Sequence, residues 1–125
     1  MIERIISFLK KDTRILAVYL LGSAGAGRLR PDSDIDLALL PVSGRHIDEF
    51  ERVKLAADIA LEIGREVDIG VISSNNLVYA KEALLGGKRI FVRDVQATDN
   101  AVATLLGMYV RFNEERWEVL DAYRA

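Results

Sequence analysis

The chain has no cysteine, a single histidine and no large surplus of either charge. Without cysteine, disulfides and thiolate metal sites are excluded, and a cytoplasmic setting is expected. Lysine and arginine number 17 against 19 aspartates and glutamates, a net charge of −2. That balance lacks the basic footprint of a duplex binder, so no direct DNA binding is expected. Long apolar runs are missing too. No stretch approaches the roughly 18 residues of a membrane span, so no membrane partner is expected. The opening "MIERIISFLKKD" interleaves charge with apolar residues, unlike a secretory leader. The lone histidine, His46, reads as a surface residue near a helix start. At 125 residues the chain is expected to form one domain, 1–125, around one core.

What is present is an alternation of helical and strand patterns. Ile2, Ile5, Ile6 and Leu9 recur at helical spacing, predicting an amphipathic helix over residues 2–11. "RILAVYLLG" (14–22) and "DIDLALLP" (34–41) read as strands, the second closed by Pro41. Between them "SAGAGRLRPDS" reads as a loop, with one helical turn at Ser23. From His46 to Gly64 a helix is expected, its apolar side formed by Ile47, Phe50, Val53, Ala57, Ala60 and Leu61, and Gly64 its C-cap. "EVDIGVI" (66–72) predicts a third strand, residues 76–85 a helix, and Lys88 to Arg93 a short edge strand. A long helix runs from about Thr98 to Tyr123. Strands alternating with helices define an α/β or α+β domain, a small sheet with helices packed on it.

Asp34 and Asp36 stand two residues apart in a strand and therefore share a face. Two carboxylates about 5 Å apart repel by roughly 3 kcal/mol at an effective dielectric near 20. A divalent cation between them relieves that cost, and oxygen-only donors suit Mg²⁺ or Mn²⁺. Asp68, flanked by Val67 and Ile69, holds the same place in the third strand's pattern. If that strand lies beside the second, Asp68 faces the same pocket. Gly22 lets backbone approach a ligand closely, and Ser23 offers a hydroxyl and an N–H at a helical turn, a phosphate-binding arrangement.

Gly22-Ser23, ten intervening residues and then Asp34-x-Asp36 resembles the signature of the DNA polymerase beta-type nucleotidyltransferases. Within that superfamily "GSAGAGRLRPDSDIDLALL" is similar to the minimal nucleotidyltransferases, the MntA-like antitoxins paired in prokaryotic operons with HEPN-domain toxins. The resemblance extends through "GREVDIGVI" and "LLGGKRIFVRD", covering residues 14–94. It implies a nucleotidyltransferase fold, with a small mixed sheet, flanking helices and a long C-terminal helix. Gly22 and Ser23 would hold the β- and γ-phosphates of ATP. Asp34, Asp36 and Asp68 would be the catalytic carboxylates and Mg²⁺ ligands, with Asp68 helping to deprotonate the acceptor. The implied reaction moves AMP to a tyrosine hydroxyl of the cognate toxin. Two alternatives are an antitoxin that acts by binding alone and a small-molecule nucleotidyltransferase.

The loop departs from the common Gly-Ser-x-Ala-Arg-Gly: Gly25 and Ala26 stand where alanine and arginine are usual, and Arg28 and Arg30 follow. In the C-terminal helix Val102, Leu105, Leu106, Tyr109, Phe112, Trp117 and Leu120 form one broad stripe expected to pack on the sheet. Met108, Val110 and Val119 fall outside it. That second apolar side is expected to contribute to a homo-oligomer or toxin interface.

Overall fold

The computed structural model describes residues 1–22 and 34–124. The elements run α1 (Ile2–Leu9), β1 (Ile15–Leu21), β2 (Ile35–Pro41), α2 (Glu49–Ile63), β3 (Val67–Val71), α3 (Leu77–Gly86), β4 (Lys88–Val92) and α4 (Val95–Arg124). The strands form one sheet in the order β3-β2-β1-β4. β1 is antiparallel to both β2 and β4, whereas β2 and β3 are parallel. The expected mixed sheet with flanking helices and a long C-terminal helix is therefore present, with β4 on an edge.

Helices cover both faces of the sheet, which is why β1 and β2 read as almost unbroken apolar runs. On one face α1 and α2 bury Ile5, Leu9 and Ile59 against Val18, Leu37, Leu39 and Ile69. On the other, α3 and α4 cover Tyr19, Ala38, Leu40 and Ile72, with Ala80 and Ala83 letting α3 lie close. A register shift between Ile15 and Ala17 turns both Leu16 and Ala17 toward this second face.

α2 starts on a capping box. The Glu51 N–H donates to Asp48 Oδ1 (2.7 Å), and the Asp48 N–H donates back to Glu51 Oε1 (3.4 Å). It ends where Gly64 turns left-handed at φ 70°. The apolar side expected from the sequence is not the buried one: Phe50, Val53 and Leu61 are exposed, and Leu55, Ala56, Ile59 and Ile63 face the core. Ile47 is buried, but it precedes the N-cap, so counting a helical period from it gives the wrong phase. α4 likewise departs from expectation. Val102 and Leu105 pack on the second core, whereas Phe112, Trp117 and Leu120 are 39%, 49% and 42% exposed.

Arg14 ties the first strand to α2. Its guanidinium donates to both Asp12 oxygens (3.0 and 2.8 Å), to the His46 carbonyl (3.2 Å) and to the Glu51 carboxylate. The Arg14 hydrogen bond holds the Asp12 carboxyl below the usual carboxylate range. A depressed folded-state value stabilises above about pH 4, the unfolded value, and the gain is lost as pH falls through the folded value. Arg14→Met is therefore expected to cost about 1 kcal/mol at pH 7, after solvent screening. Thermal melts of both proteins should converge as the pH drops below about 4.

Candidate active site

The third strand does lie beside the second. Asp36 on β2 is the register partner of Asp68 on β3 and, across the other flank, of Leu21 on β1. Neighbouring strands lie about 4.8 Å apart, so Asp36 and Asp68 stand side by side on the sheet face covered further along by α3 and α4. Asp34, just ahead of β2 and two residues before Asp36, shares that face. All three carboxylates are exposed at this end of the sheet.

Gly22 follows β1 directly with φ 67°, a left-handed value that favours glycine. A Cβ built there would lie 3.8 Å from Asp36 Oδ2, so the Gly22 backbone lies close to that carboxylate. Ser23, Gly25, Ala26, Arg28 and Arg30 lie outside the described residues. Partial burial raises the Asp36 carboxyl above its ordinary value, and the neighbouring Asp68 and Asp34 charges add to the shift.

Asp34, Asp36 and Asp68 offer oxygen donors only, a set that fits Mg²⁺ or Mn²⁺. Among the described residues no three His, Cys, Asp or Glu side chains close on a point to cage an ion. Mg²⁺ takes one or two carboxylates and completes its shell with water and substrate phosphates, so an open set suits it.

Four further residues gather around Asp68 without having been singled out in the sequence. Arg52 on α2 donates to the Ile69 carbonyl (2.6 Å) and to Glu49 (3.0 Å), and its guanidinium lies 3.9 Å from Asp68 Oδ1. Tyr79 on α3 lies over Gly70 of β3: a Cβ at Gly70 would fall 2.0 Å from the Tyr79 hydroxyl oxygen. Asn76 caps α3 by accepting from the Tyr79 N–H (3.3 Å). Burial pushes the Tyr79 hydroxyl up, with the Asp68 and Asp36 charges adding to it, so it stays protonated at neutral pH. One signal was legible: a glycine inside a strand marks a close approach, here at Gly70. His46 is exposed, and its carbonyl accepts from Arg14. A larger cavity, about 610 Å³, opens at the other end of β2 and β3, between α4 and the loop after β2, and holds none of the carboxylates.

Residues 3–96 match the family described as Polymerase beta, Nucleotidyltransferase, and the chain belongs to it. It is also 28% identical over 120 residues to the protein adenylyltransferase MntA of Shewanella oneidensis, covering 95% of this chain and 84% of that one. A solved toxin–antitoxin structure with AMP-PNP matches with a TM-score of 0.82 at 26% identity, over 99% of this chain and 98% of the other. For the fold alone, a complex of tri-AMPylated Shewanella oneidensis HEPN toxin with MNT antitoxin matches with a TM-score of 0.76 at 24% identity, over 99% and 96% of the chains. No helix among the described residues is long and apolar enough to cross a membrane.

Proposed function

We propose that this nucleotidyltransferase moves AMP from ATP to a tyrosine hydroxyl of a HEPN-domain toxin and so acts as its antitoxin in the cytoplasm. The observation that carries the reading is the pairing of Asp36 with Asp68 beside the Gly22 turn, in a chain whose relative is a protein adenylyltransferase. Gly22 and Ser23 hold the β- and γ-phosphates. Asp34, Asp36 and Asp68 would hold Mg²⁺, whose chemistry is to stabilise negative charge on the attacking and leaving oxygens. Asp68 accepts the proton of the acceptor hydroxyl as that oxygen bonds to the α-phosphorus. The bond from the α-phosphorus to the bridging oxygen breaks in line, and pyrophosphate leaves.

Incubation of the protein with ATP, Mg²⁺ and its cognate HEPN protein is expected to add AMP units to the partner, read by intact mass. Chelation by EDTA should abolish the gain and added Mg²⁺ should restore it. Transfer undiminished by EDTA would refute the metal role. A second reading, neutralisation by binding alone, is favoured by the exposed apolar residues of the distal half of α4. It predicts that a triple Asp34→Asn, Asp36→Asn and Asp68→Asn variant still protects cells from the toxin, whereas the transfer reading predicts loss of protection.

A further inference from the structure

We infer that the cavity between α2, β3 and α3 receives the aromatic ring of the acceptor, with Tyr79 as its wall and Asp68 at its mouth. The inference rests on the transfer reading above, in which Asp68 faces the acceptor hydroxyl. The cavity measures about 390 Å³, and Asp68, Arg52, Asn76 and Tyr79 are among its lining residues. It opens along β3, the terminal strand of the sheet, on the flank of Asp68 away from Asp36. Triphosphate held at Gly22 and Asp36 would leave this flank clear, so an attacking hydroxyl reaches Asp68 from here.

Three features suit a tyrosine ring. Gly70 follows Asp68 by two residues and shares its face, so the phenol of Tyr79 lies on bare backbone one pleat along from the carboxylate. Tyr79 is packed against the core beneath α3, which fixes it as a wall of the cavity, and its hydroxyl end lies over Gly70. Arg52 is held in place by Glu49 and the Ile69 carbonyl, and its guanidinium neighbours both Asp68 and Tyr79. An aromatic ring between Tyr79 and Arg52 gains stacking on one side and a cation–π contact on the other. Its hydroxyl would then point at Asp68.

The test measures steady-state transfer to a synthetic peptide spanning the acceptor tyrosine of the cognate HEPN protein, together with direct titration of that peptide. Tyr79→Ala is expected to raise the peptide KM and Kd by at least about tenfold, with the KM for ATP within about twofold of wild type. Tyr79→Phe keeps the ring and should leave all three values near wild type. Gly70→Ala should reproduce Tyr79→Ala, because the added methyl evicts the ring, and the double variant should be no worse than either. An unchanged peptide Kd in folded Tyr79→Ala would overturn the inference, as would a rise in the KM for ATP, which would make this the adenine pocket. If wild type transfers nothing, the transfer reading falls, and the titration alone judges the pocket on the same tenfold criterion.

Discussion

Asp36→Asn is expected to melt about 3 °C higher than wild type while losing AMP transfer by about a thousandfold. The gain in stability comes from the register. Asp36 and Asp68 are strand partners, and Asp34 shares their face. At about 5 Å the repulsion is roughly 3 kcal/mol at an effective dielectric near 20, and solvent screening of these exposed groups reduces it to about 1 kcal/mol. The Asp36 carboxyl is raised by burial and by those two neighbours. A carboxyl raised in the folded state destabilises when ionised, fully so above its folded value, and the penalty vanishes below the unfolded value near pH 4. Asparagine removes the penalty, so the two melting curves should separate at pH 7 and converge in acid. Saturating Mg²⁺ and ATP should then stabilise wild type more than the variant, because ligand that binds only the folded state adds to stability. An Asp36→Asn protein that melts below wild type at pH 7 would show the carboxylate to be a structural partner. Full transfer by it would remove Asp36 from the chemistry.

The carboxylates were legible because strands alternate with period two. Asp34 and Asp36 inside an apolar run share a face whatever the sheet does, and "EVDIGVI" repeats the pattern. The pairing of β2 with β3 was a condition in the sequence, and only the topology met it. Arg52 and Tyr79 were not legible, since helix residues reach Asp68 only through the phase of α2 and the seating of α3. The overreach of α4 also has a geometric cause. Thirty helical residues span about 45 Å, whereas four strands at about 4.8 Å give a sheet roughly 20 Å across. The apolar period continues past Leu105, but the sheet does not. Its distal residues therefore stand in solvent, although the sequence pattern places them on a core.

The phase of α2 carries a large expected stability effect, and one pair of substitutions measures it. Ile59 is fully buried against β2 and β3, and Leu61, two residues on, is 86% exposed. Ile59→Ala removes three methyl or methylene carbons from a packed site and leaves a cavity, so it should cost about 3–4 kcal/mol. Leu61→Ala, on the side the sequence pattern favoured, should cost less than about 0.5 kcal/mol. Urea melts of the two variants give the comparison, and equal costs would place the helix in the other rotation. The consequence extends to the site. Arg52 lies on the buried stripe with Leu55, Ala56, Ile59 and Ile63, seven residues before Ile59 and so on nearly the same side of α2. The rotation that buries Ile59 is therefore the one that carries the Arg52 guanidinium to the Ile69 carbonyl and Asp68. Loosening the core at Ile59 should weaken acceptor use before it unfolds the domain.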